Sequence, residues 1–205
     1  MSDGPVLQPL LLPHVEACLE LNPLLSPPSP DETPQHRVNW EMLFPSSYAR
    51  CSHTVSEETW SEHLYSPATF PRLRTIFIIS RSFPWIIDVN PEDVNIGVTC
   101  GDVLDEIYSY LHVKVVREEI RALPSSDLSA FNAAYQKNRA RRDEHGEPAI
   151  SLLRRSAAMR RLDWLSRKTF FGGLDRDDAY ISERFGVAFP ATFVLHPRET
   201  AVKAA

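Results

Sequence analysis

No window of the chain approaches the ~18 consecutive apolar residues that a membrane-crossing helix needs, so the sequence predicts no membrane span. The N-terminus, MSDGPVLQPLLLPHVEA, has no Lys or Arg, and Pro9 and Pro13 break its short apolar run, which is unlike a secretory signal. Cysteine is scarce. Cys18, Cys51 and Cys100 are odd in number and far apart, and no C-x-x-C pair occurs, so the pattern argues against a disulfide framework and favours a reducing compartment, cytoplasmic or nuclear. There is no G-x-S-x-G elbow, and Gly97 and the Gly172-Gly173 pair lack the spacing of a phosphate-cradling loop, so they read as turn glycines. An excess of basic charge is also missing. The net charge of −5 suits a dissolved protein and makes a nucleic-acid partner an unlikely one.

The 205 residues, 43% hydrophobic and 24% charged, suit one globular domain with an attached arm. A chain of this length can bury roughly 70% of its unfolded surface without disulfides or metals. We place the arm at residues 1–35 and the domain at 36–205. Nine of the 17 prolines precede Ser46, a density that forbids long helices and central strands. Yet Leu7, Leu10, Leu11, Leu12, Leu19, Leu24 and Leu25 make this arm too apolar for a solvated linker, so it is expected to lie on the domain or on a partner. A PxxP-type ligand would need basic flanks that are absent.

Beyond the arm, Val38, Trp40 and Met42 alternate with polar residues and predict a half-buried strand over 37–43. Residues 48–73 read as irregular, with a helical turn at 56–64. Two apolar runs, 74–80 and 85–89, are close enough to pair antiparallel, and in the second Trp85, Ile87 and Val89 share a face. The strongest helix spans 101–111. Thr99 and Asp102 form its capping box, and Val103, Leu104, Ile107 and Leu111 form its apolar stripe. Shorter helices are expected at 116–123 and from 125 to about 142, the latter with a stripe of Leu128, Phe131 and Tyr135. Strands follow at 169–174 and 191–196, the last closed by Pro197. The fold class is therefore α+β: a small, mostly antiparallel sheet of four or five strands with helices on one face, behind a proline-rich N-terminal arm.

The order of the stretches FPWIIDV (83–89), VTCGDVL (98–104) with Ile107, Tyr108 and Leu111, then Tyr135 and Arg139, then Arg161 and Asp163, then Phe171 with Gly173-Leu174, resembles a family of uncharacterised domains abundant in mushroom-forming fungi. The resemblance spans residues 71–196. It departs from the family in the basic segment 141–155 and at Ser166-Arg167-Lys168. It implies a fold and a fungal source, and no activity.

Chemistry-bearing clusters are thin. Cys51, His53 and His63 lack the tight spacing of the three or four ligands zinc takes, so no metal and no cofactor is expected. Asp175, Asp177 and Asp178 look like the start of a calcium loop, but the loop's glycine and closing glutamate are replaced by Tyr180 and Gly186, so a solvated turn is the plainer reading. Cys100 at a helix N-terminus would be activated if exposed, and its apolar flanks suggest instead a buried small hydrophobe. Asp163, Tyr135 and Arg139 read as structural anchors. With Asp88 they would form the pocket of a small-molecule enzyme, which is the alternative reading. Residues 137–168 hold ten basic and four acidic residues, a local +6 that leaves −11 for the rest. Arg154, Arg155, Arg160 and Arg161 are thus candidates for binding an anion or an acidic partner, or else they pair internally, Glu118 and Glu119 being among the available acids. The reading favoured on balance is a non-catalytic protein-interaction or scaffold domain.

Overall fold

A computed structural model describes residues 4–15, 18–28, 37–52, 60–121, 125–142 and 158–200. In chain order the elements are β1 (Glu20–Leu21), β2 (Arg37–Asn39), β3 (Arg50–Ser52), β4 (Thr69–Phe70), β5 (Ile76–Ser80), β6 (Phe83–Val89), α1 (Cys100–Leu111), α2 (Arg117–Arg121), α3 (Ser125–Ala140), β7 (Phe170–Asp175), α4 (Asp178–Phe185) and β8 (Thr192–Arg198). Short 3-10 turns at Pro9–His14, Pro23–Leu25, Ser46–Tyr48, Trp60–Glu62 and Arg161–Leu165 fill the connections. No described helix is long and apolar enough to cross a membrane.

The fold is α+β around a four-stranded sheet of order β6-β5-β8-β7. β5 and β6 form an antiparallel hairpin, β7 pairs antiparallel with β8, and the one parallel pairing joins β5 to β8. β8 therefore sits inside the sheet, and it runs on through Pro197 to Arg198 rather than stopping at the proline. Two-stranded ladders, β1 with β4 and β2 with β3, lie outside this sheet.

β6 begins at Phe83, two residues before the strand expected at 85–89; within it Ile87 and Val89 are buried and Trp85 half-buried, Phe83 joins their face, and Pro84, Ile86 and Asp88 are exposed. α1 covers that inner face. Its capping box is present, with Asp102 N–H donating to Thr99 Oγ1 at 3.1 Å and Thr99 N–H to Asp102 Oδ2 at 2.8 Å. Val103, Leu104, Ile107 and Leu111 are wholly buried in the main core beside Ile76, Ile78, Ile87 and Phe193. On the opposite face, α4 adds a small cluster of Ile181 against Ile79 and Val194.

Three further expectations are amended. The segment 37–43 buries Val38, Trp40 and Met42 as expected, but it is split. β2 pairs with β3, while the following residues run along β7, with Phe171 N–H donating to Trp40 O at 2.9 Å and Met42 N–H to Thr169 O at 2.8 Å. On α3 the buried face is Phe131, Ala134 and Asn138, whereas Leu128 is exposed and Tyr135 half-buried. The acidic stretch 175–178 is neither a cation loop nor a plain turn. Asp177 accepts the Tyr180 N–H at 2.9 Å as the N-cap of α4, and Gly186, at φ 78°, ends that helix in the left-handed conformation.

The described part of the proline-rich stretch lies against the rest. Leu25 is fully buried and Leu24 nearly so, while Leu10 and Leu11 face solvent. Leu7 N–H donates to Arg72 O and Arg74 N–H to Leu7 O, both at 2.8 Å. Gly173 makes room for this stretch, since a Cβ there would stand 2.4 Å from the Pro27 nitrogen, and its φ of 100° also suits glycine.

Candidate functional site

α3 and the Arg161–Leu165 turn meet through one buried carboxylate. Asp163 is 1% exposed. Its Oδ2 accepts the Arg160 N–H at 2.9 Å, closing the turn, and its Oδ1 accepts Asn138 Nδ2 at 3.0 Å, tying the turn to α3. Arg139 approaches to 3.9 Å while its guanidinium lies 3.5 Å from the Tyr135 ring centroid and donates to the Ala158 carbonyl. Arg160 is also buried, and its Nη1 donates to the His112 carbonyl at the end of α1. Burial pushes the Asp163 carboxyl above its usual value, against the pull of these donors and the two arginines.

Next to this cluster an aromatic row crosses from sheet to helix. Trp85 of β6 meets Trp164 edge-on at 4.8 Å, and Phe131 of α3 meets Trp164 likewise at 5.5 Å. Arg161 is sandwiched between Trp85 and Tyr110, at 4.8 and 4.4 Å from their centroids. Glu119 binds both neighbours, accepting Trp85 Nε1 at 2.7 Å and Arg161 Nη2 at 3.0 Å. Partial burial works to raise the Glu119 carboxyl, but the hydrogen bonds from the Val116 N–H, Arg161 and Trp85 outweigh it and hold the group below its usual value.

Phe131 and Trp164 of this row, with Phe83, floor an open groove of about 870 Å³ between the β5–β6 turn, α3 and α4. Its far wall is α4. Tyr180 donates to the Ser80 carbonyl at 3.0 Å. Arg184 donates to the carbonyls of Ser80 at 3.3 Å and Trp85 at 3.2 Å, and also to that of Pro84. Arg81 stacks on Tyr180 at 3.9 Å and pairs with Asp177 at 3.0 Å. The groove thus joins an apolar floor to walls on which Glu119, Arg184 and Arg81 are engaged within the chain, while Glu183 of α4 is exposed. The sequence reading missed α4, and with it Tyr180 and Arg184. The signal was there in Asp177 as a cap, Gly186 as a terminator and Tyr180 and Arg184 one turn apart.

Tyr135, Arg139 and Asp163 are brought together. Asp88 is not among them: it is exposed on β6, where its charge is felt by Glu106 and Tyr110 instead. Of the four candidate arginines, Arg154 and Arg155 lie outside the described residues. Arg160 is turned inward and Arg161 is paired with Glu119, so neither is displayed on an open basic face. His53 lies outside the described residues too, and among the described residues no group of three or more His, Cys, Asp or Glu could hold a metal ion. Cys100 is fully buried, and its thiol is pushed up to about 12, first by burial and then by Cys51 and Asp102, so the helix N-terminus does not activate it.

Residues 38–181 match the model of a family described only as a family of unknown function, DUF6699. The match starts earlier than the resemblance seen in the sequence, taking in β2 and β3, and ends within α4. No curated protein matches the chain, and no solved structure does.

Proposed function

Since the chain belongs to the DUF6699 family, whose function is unknown, we propose its role from geometry and chemistry: a non-catalytic protein-interaction or scaffold domain that presents the groove beside Trp164 to a protein partner. One observation carries this reading. The groove combines an aromatic floor with walls on which Glu119, Arg81 and Arg184 are engaged within the chain and Glu183 is left exposed, so what it offers a ligand is shape and apolar area with one acidic side chain at its wall. Binding energy at protein interfaces concentrates in a few anchor residues, among which Trp is enriched. The resemblance to domains of mushroom-forming fungi supports a fungal source. The three free cysteines support a cytoplasmic or nuclear location, which tagging the chain with a fluorescent protein in its host cell would check.

The test uses Ala130, which is exposed on the groove wall. A photoreactive amino acid at that position in the full chain should give a discrete protein adduct in the host cell. The adduct should vanish when the groove is altered by Glu183→Arg, a change at an exposed residue of α4. No adduct, or one indifferent to Glu183→Arg, would sink the reading.

A further inference from the structure

We propose that the outer edge of β6 is a strand-addition site for an extended, basic segment of a partner protein; this rests on the interaction reading above and gives it a docking mode. β6 is an outer strand of the four-stranded sheet. The opposite edge, β7, is covered by the backbone of Trp40 and Met42. Among the described residues nothing covers β6 in the same way.

The ladder pattern shows which groups are left open. Phe77 N–H donates to Ala191 O at 2.9 Å, toward β8 and away from β6. Its pairing with Asp88 is therefore of the non-hydrogen-bonded kind, and the flanking pairs Ile76–Val89 and Ile78–Ile87 carry the ladder bonds. By the same alternation the N–H and C=O of Ile86 and of Asp88 point out of the sheet. The hairpin end of the edge is closed, because Pro84 has no N–H and Arg184 takes its carbonyl. The open stretch is Ile86–Asp88, where main-chain bonds would supply affinity and alternate side chains specificity.

Charge selects the occupant. Asp88 is exposed on β6 and Glu106 half-buried on α1, and among the described residues neither makes an ion pair. Burial, and then the charge of Asp88, raise the Glu106 carboxyl, so the two acids already repel each other. A Lys or Arg on an added strand would relieve that repulsion, and the exposed Ile86, on the same face as Asp88, offers apolar contact to the methylene stem of a second basic residue two positions along that strand. A second copy of the same edge would bring these acids against their own counterparts, which disfavours self-pairing.

The probe is the blocked peptide Lys-Val-Lys-Val-Lys-Val added to the isotopically labelled full chain, with its Glu-for-Lys analogue and a backbone N-methylated analogue as controls. The Ile86 and Asp88 amides should gain hydrogen-exchange protection of about tenfold or more, while the Ile87 amide, already bonded to β5, stays unchanged. The Glu peptide and the N-methylated peptide should not protect, and Asp88→Asn with Glu106→Gln should weaken the basic peptide several-fold. Absent protection, equal protection by the N-methylated peptide, or self-association of the free chain through this edge overturns the proposal. An Ala130 adduct without peptide protection overturns the strand site and leaves the interaction reading standing; absence of both overturns both.

Discussion

Asp163→Ala removes the acceptor that holds the Arg161–Leu165 turn to α3. Two buried donors lose their partner: Asn138 Nδ2, which sits 3.0 Å from the carboxylate, and the Arg160 N–H, at 2.9 Å. Each orphaned donor costs about 1–3 kcal/mol. The wild-type carboxylate is itself strained by burial, as its raised pKa shows, which offsets part of that loss. The expected net is a destabilisation of about 2–4 kcal/mol. Asp163→Asn should fall between wild type and Ala, because its carbonyl can serve one donor while its amide faces the other. Urea unfolding followed by tryptophan fluorescence would read the shift, since Trp164 adjoins Asp163 in the chain. The pH dependence has a definite sign. A carboxyl raised in the folded state stabilises fully below its unfolded value and loses that contribution as pH rises through the folded one. The gap between wild type and Asp163→Ala should therefore widen on acidification. An Ala variant within ~0.5 kcal/mol of wild type, or a gap that narrows on acidification, would refute the reasoning.

His112 titrates with the opposite sign. Burial takes it from 6.5 down to about 4, so stability should fall as pH drops through that window, by about 3 kcal/mol. His112→Gln should remove that slope from melting temperatures measured between the two limits, and a parallel slope in the variant would count against it. Cys100 should resist iodoacetamide in the native chain and react only on unfolding, whereas exposed Cys18 labels at once; peptide mass spectrometry distinguishes them. Leu25→Ala should destabilise by about 2–5 kcal/mol because Leu25 is fully buried, while Leu10→Ala, at 77% exposure, should change little. Equal effects in denaturant melts would mean that the proline-rich stretch is not held as described.

Features governed by near neighbours were legible before the fold was known. Thr99 and Asp102 cap α1 across one turn, and the alternation of Trp85, Ile87 and Val89 needs only the two-residue period of a strand. The sheet class, the hairpin and the start of α3 follow from signals of the same range. β1, β3 and β4 were not readable, because strands of two or three residues have no period of their own and exist through distant partners, as Glu20 does through Phe70. β8 became an inner strand only by pairing in parallel with β5, a choice that its own residues do not encode. The candidate site shows the same division. Arg160 and Arg161 are adjacent and chemically identical, yet one reaches the His112 carbonyl and the other lies between Trp85 and Tyr110 on Glu119. Which arginine is buried and which lines a groove depends on what α1, α2 and β6 present at that point in space. Local hydrogen bonds and apolar period act within a few residues, whereas burial and charge pairing are set by segments that meet only when the chain has folded.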